Sequence, residues 1–97
     1  MSRHELESEL NRILTRLSHL NEMQRKLAAP LVHATAQQLR DLTIECGDDG
    51  PNALPLVDPR IAGAQLQVTC ADLCALAEER TLETATAQLI ELRRSLP

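Results

Sequence analysis

Apolar residues return at alternating steps of four and three from Leu6 through Leu10, Ile13, Leu17 and Leu20 to Leu27, with Gln24 the one polar position in the series. This a/d rhythm predicts a long N-terminal helix that packs along its length on other helices. Leu14 and Met23 fall at the flanking e and g positions and widen the stripe beyond a two-stranded seam, which points to a bundle. Ser2 with Glu5 three residues on reads as a capping box, so the helix is expected to begin near Arg3. Gln24 reads either as a register device or as the fraying end of the contact.

Ala28-Ala29-Pro30 interrupts the pattern, because proline lacks a donor and biases its predecessor away from helical angles. Residues 1–46 are then a helical hairpin, with a second helix after Pro30, or one kinked helix running to Cys46. The kinked version would be about 66 Å long at 1.5 Å per residue, too long for a compact monomer of this size. The second apolar set is Val32, Thr35, Leu39, Leu42 and Cys46, and Gly47 is placed to end it as a C′ residue. Asp48-Asp49-Gly50-Pro51-Asn52 forms the clearest internal boundary.

Residues 47–68 are expected to be an irregular linker, a packed loop with one helical turn; a small hairpin is the alternative. Asp58-Pro59 has the form of an N-cap followed by proline at N1, whereas Ala64, Leu66 and Val68 alternate like a strand. Residues 69–97 are expected to be a short-long helix pair. Thr69 and Asp72 would start the first, with Leu73, Leu76 and Ala77 inward; Thr81 would cap the second, carrying Leu82, Ala85, Leu89, Leu92 and Leu96. The expected fold class is all-α: one small helical bundle of 97 residues.

Composition sharpens this picture. Eighteen leucines supply apolar bulk, yet Phe, Tyr and Trp are absent, so the core must be built from many smaller contacts. That favours self-association or a protein partner. Net charge is −4 with no strongly basic segment, which argues against nucleic acid and anionic membrane surfaces. The missing aromatics also remove the stacking platform of single-strand binders. No apolar leader or membrane-length run is visible, and three cysteines suit reduced thiols in a cytoplasmic setting.

Candidate chemistry is sparse. Cys70 and Cys74, four residues apart, would share one helical face, and Cys46 and His33 could complete a tetrahedral metal set; inert core packing explains the same thiols. Asp48-Asp49-Gly50 lacks the alternating ligands of a calcium loop and reads as a solvated turn. His4 and His19 face water. No Ser, His and Asp arrangement marks a nucleophile, so no catalytic residue, cofactor or small-molecule substrate is assigned. Residues 69–95 have the dimensions of a helix-turn-helix, with Glu83, Thr84, Ala87, Gln88 and Glu91 on the would-be reading face, but the reading helix begins acidic.

The expectation is therefore a non-enzymatic interaction module, an adaptor, chaperone-like partner or regulatory subunit, forming a homodimer or hetero-oligomer. Its association surface would be Leu6, Leu10, Ile13, Leu14, Leu17, Leu20, Met23 and Leu27. The alternatives are a DNA-binding regulator or a thiol metal or redox site. The same stripe would also serve as the internal core of a four-helix monomer.

Overall fold

The first reversal of the chain is set by Asn21. Its side-chain oxygen accepts from Gln24 N at 2.8 Å, while the Gln24 side chain accepts from Asn21 N at 3.0 Å. This reciprocal capping box starts a helix, so it also ends the one before it. In the computed structural model, which describes residues 2–97 and side chains from Arg3 onward, helix α1 spans Ser2–Ser18 and α2 spans Glu22–Glu45. Arg25 donates to the Leu17 and Ser18 carbonyls, both at 3.5 Å, and so helps close the end of α1. The Ser2 side chain, and with it the Ser2–Glu5 capping box, lies outside the described side chains.

Two expectations are corrected here. The stripe Leu6–Leu27 does not lie on one helix, and Gln24 is a capping residue. Nor does Pro30 break or start a helix: it sits inside α2, which runs unbroken past it. Pro30 is exposed, so the carbonyl of Lys26 that it leaves without a donor stands on the solvent side, where water can satisfy it. Asn21→Ala removes half of the capping box and is expected to cost about 1 kcal/mol. That corresponds to a melting midpoint roughly 4–8 °C lower, measurable by circular dichroism.

Helix α2 ends where the sequence places the stop. Gly47 has φ +106°, a left-handed value that glycine adopts without steric cost. Its N–H bonds to the Ile44 carbonyl at 2.9 Å and that of Asp48 to the Thr43 carbonyl at 3.3 Å, the two bonds of a Schellman motif. Asp58 then caps a 3₁₀ turn, Pro59–Ile61, by accepting from Arg60 N at 2.8 Å. The turn leads directly into α3, Ala62–Leu76, and α4 follows at Glu79–Ser95.

The C-terminal pair is thus longer at its front than expected. Thr69 does not cap α3; it is buried within it, its hydroxyl bonding to the Gln65 carbonyl at 2.8 Å. Thr81 is likewise inside α4, whose N-cap is Glu78. Neither of the two strands weighed for residues 54–68 forms.

α1 packs chiefly on α4 and α2 chiefly on α3, with a lesser α2–α4 contact joining the two pairs. The radius of gyration, 12.6 Å, is that of a compact chain of this length. Leu6, Ile13, Leu39, Leu66, Leu73 and Leu89 are fully buried, together with Val32, Thr43 and Cys70. Small residues and threonines complete this aromatic-free core. Thr43 and Thr86 tolerate burial because each hydroxyl donates to the carbonyl one turn back, at 2.8 Å.

The segment between α2 and the 3₁₀ turn has no regular structure, yet it is fastened at successive turns of α2. His33 Nε2 donates to the Leu54 carbonyl at 3.1 Å, and Gln37 bonds both the Asn52 carbonyl and Leu54 N. Arg40, almost fully buried, donates to the Pro51 carbonyl at 2.9 Å and pairs with Asp48. His33, Gln37 and Arg40 occur at i, i+4 and i+7, one polar ladder on a helix face.

Candidate interaction surface

The association stripe expected on α1 is consumed within the chain. Leu6, Leu10, Ile13 and Leu20 are buried core residues, and Leu14 and Leu17 pack half-buried against them. Gly63 of α3 approaches Leu14 and Leu17 so closely that a Cβ there would lie 3.2 and 3.3 Å from their methyl groups. These five leucines and one isoleucine face inward, covered chiefly by α4 and, at Leu14 and Leu17, by α3. As a docking surface the α1 stripe is therefore corrected. Only its last two members, Met23 and Leu27, stand out, at 74% and 65% exposed, and they belong to α2.

These two are part of a row. Met23, Leu27, Pro30, Leu31 and Ala34 are all exposed, and their spacing places them along one side of α2. The opposite side carries Ala28, Val32, Thr35, Ala36 and Leu39, all buried. The front half of α2 is thus apolar on both faces while only one is covered. Beyond Ala34 the outer face turns polar through Gln38, Asp41 and Glu45.

Leu31 and Ala34 also form one wall of a groove of about 430 Å³ between α2 and α4, with Thr84, Ala87, Gln88 and Leu92 opposite. Gln88 Oε1 is buried beside this groove without a hydrogen-bond partner. Leaving such an acceptor unpaired costs about 1–3 kcal/mol. A second groove, about 630 Å³, runs between the strapped loop and α3, lined by Leu54, Val57, Ile61, Ala64 and Val68. Arg40 closes one end, but its charge is engaged by Asp48, whose carboxyl is held below the usual range by the Arg40 hydrogen bond.

The thiols are placed for packing. Cys70 and Cys74 share a face of α3, as their spacing requires, but Cys70 is buried in the core and Cys74 half-buried against it. Burial pushes the Cys70 thiol up to about 12, with the neighbouring Cys74 adding to the effect, so it stays protonated and a poor ligand or nucleophile. Burial likewise raises Cys74. Cys46 packs against the core as well, and His33 is committed to the loop. Among the described residues no cluster of three His, Cys, Asp or Glu is placed to hold a metal ion.

The helix pair 69–95 does not form a helix-turn-helix unit, because α3 packs on α2 and α4 packs on α1. Thr84, Ala87, Gln88 and Glu91 of the would-be reading face line the α2–α4 groove instead. Among the described residues no helix is long and apolar enough to cross a membrane.

The exposed α2 row was legible in part: Met23 and Leu27 stood in the stripe, but as its edge. What concealed the row is that Leu31 and Ala34 follow Pro30, where the sequence pattern suggests a break. No family model, curated protein or solved structure matches the chain.

Proposed function

We propose that this chain is a non-enzymatic helical protein–protein interaction module, an adaptor or regulatory subunit of the cytoplasm, whose docking element is the outer face of α2. The observation that carries this reading is the row Met23, Leu27, Leu31, exposed along a helix whose other face is fully packed. Single exposed apolar residues are ordinary on protein surfaces; a contiguous row flanked by polar positions is the pattern of a contact surface. The neighbouring groove supports it, since an apolar ridge beside a shallow trough suits the packing of another helix.

The test is a Met23→Glu, Leu27→Glu double variant, compared with the wild type by light-scattering mass at matched concentration and in cell extract. Both sites are solvent-exposed, so folding stability is expected to change by no more than about 0.5 kcal/mol per site. The expected result is an unchanged melting curve with loss of the associated species. An associated mass that survives both charges overturns the assignment to α2.

A further inference from the structure

We propose that the hollow bounded by α1, α2 and the start of α3 is a binding site for a small aliphatic carboxylate, whose alkyl chain occupies an apolar chamber and whose head group meets Arg25. Arg25, Ala28, Ala29 and Val32 stand at i, i+3, i+4 and i+7 on one face of α2, opposite the face that carries Met23, Leu27 and Leu31. The site is therefore separate from the docking row.

The chamber follows from small residues at the meeting of three helices. There α2 presents Ala28 and Ala29, α3 opens with Ala62-Gly63-Ala64, and Leu14 and Leu17 reach across from α1 to the backbone at Gly63. Between them lies a hollow of about 340 Å³. That volume falls within the about 300–1,000 Å³ of small-molecule sites, and the space between helices of a bundle is one of their usual places. Leu14, Leu17, Ala28, Val32 and Ala62 give it an aliphatic lining with no aromatic face for a ring to stack on, so an alkyl chain suits it.

A charged end adjoins the apolar one. Arg25, Pro59 and Arg60 also border a second hollow of about 540 Å³, whose other walls are Glu22, Lys26 and Asp58. Three cations thus stand beside two carboxylates, a local charge of +1 on a chain whose total is −4. The charges are not equally engaged. Arg60 donates from Nε and Nη2 to the two Asp58 oxygens, each at 3.1 Å, and Lys26 pairs with Glu22 at 3.9 Å. Arg25 has no carboxylate partner among the described residues. Its Nε and Nη2 reach the carbonyls that end α1 only at 3.5 Å, the long limit of a hydrogen bond, and Nη1 meets no acceptor among them.

One unneutralised guanidinium matches one carboxylate, which accepts two parallel N–H bonds from it. A phosphate monoester would bring nearly two negative charges to a site with one positive charge to spare, and a cationic head group would meet Arg25 as a like charge. The walls run from aliphatic to cationic, and so orient an amphipathic anion end for end.

The experiment is an amide NMR titration of the full chain with octanoate. Saturable shifts centred on Arg25, Ala29, Gly63 and Gln67 are expected, with a dissociation constant of roughly 0.1–1 mM for a ligand of this size. Affinity is expected to rise about fourfold with each methylene from hexanoate upward, then level off once the chamber is full. Octyltrimethylammonium, with the same alkyl chain and the opposite charge, is expected to bind at least tenfold more weakly. Arg25→Gln is expected to remove that preference. Ala29→Leu fills the chamber and leaves every charge in place, and is expected to weaken both ligands at least tenfold with an unchanged melting curve. Should Arg25→Gln lower the melting midpoint, the comparison of head groups on the wild type decides the role of Arg25. No saturable shift at about 10 mM octanoate overturns the site. Shifts confined to Met23, Leu27 and Leu31 also overturn it, because they report adsorption on the exposed row. Equal binding of the two head groups overturns the role of Arg25, and wild-type affinity in Ala29→Leu overturns the chamber.

Discussion

Leu39→Ala is expected to destabilise the bundle by about 3–4 kcal/mol, within the range of about 2–5 for deleting a buried leucine side chain. Leu39 is fully buried on α2, the helix that contacts both α3 and α4 and so holds the two helix pairs together. Its removal leaves a cavity that small neighbours such as Ala36 and Val32 on the same helix face cannot refill. A domain of this size has a total stability of roughly 5–15 kcal/mol, so the variant loses a large share of it. Urea unfolding followed by circular dichroism should show a lower midpoint with an unchanged slope. The matched control is Leu56→Ala: Leu56 is 84% exposed, and its loss is expected to move stability by no more than about 0.5 kcal/mol. Equal effects at the two positions would mean that the core is not centred on α2.

The second large effect is expected at Glu9. Its carboxylate is 8% exposed and accepts from Arg93 Nε at 2.7 Å and Arg12 Nη1 at 2.8 Å. The Arg93 bond joins α1 to α4 across 84 positions of sequence. Glu9→Ala is expected to cost about 2 kcal/mol; the partial exposure of both arginines lets them rehydrate, which keeps the loss below that of a fully buried pair.

The same site makes stability depend on acid. The hydrogen bond from Arg93 holds the Glu9 carboxyl below the ordinary value of 4.5, against an opposing contribution from burial. The folded state therefore binds this proton less readily than the unfolded chain. Glu9 contributes its full stabilisation above pH about 4.5 and loses it as pH falls through the lower folded value. Melting midpoints recorded from pH 6 down to 3 should fall less steeply in Glu9→Gln than in the wild type. A parallel decline would place the acid sensitivity elsewhere, with Asp48 and Asp58 next, both also held low by arginine hydrogen bonds.

Where the sequence reading erred, the cause is specific. The three-four spacing continues from Leu17 through Leu20 to Leu27 across a real turn, because Leu20 is buried from within that turn. Periodicity alone reports burial at intervals, and a turn residue that packs inward keeps the rhythm. The signal that would have found the reversal was present: Asn21-x-x-Gln24 is a capping box as legible as Ser2-x-x-Glu5. Pro30 misled in the opposite direction. Its cost depends on whether the freed carbonyl can reach water, which is decided by the side of α2 it occupies.

The all-α class, the stop at Gly47, the Asp58-Pro59 start and the apolar identity of Leu6, Ile13, Leu39, Leu73 and Leu89 follow from the order of residues. They rest on local chemistry: helical period, a left-handed glycine, and capping side chains a few positions from their targets. Which apolar face stays uncovered does not. Met23 and Leu27 are indistinguishable in kind from Leu6 and Leu10, and only the docking of α4 on α1 and of α3 on α2 separates them. The same is true of Cys70, of the His33, Gln37 and Arg40 ladder beneath the loop, and of the Glu9–Arg93 bond. Each joins groups distant along the chain, and such contacts exist only once tertiary packing has brought the helices together.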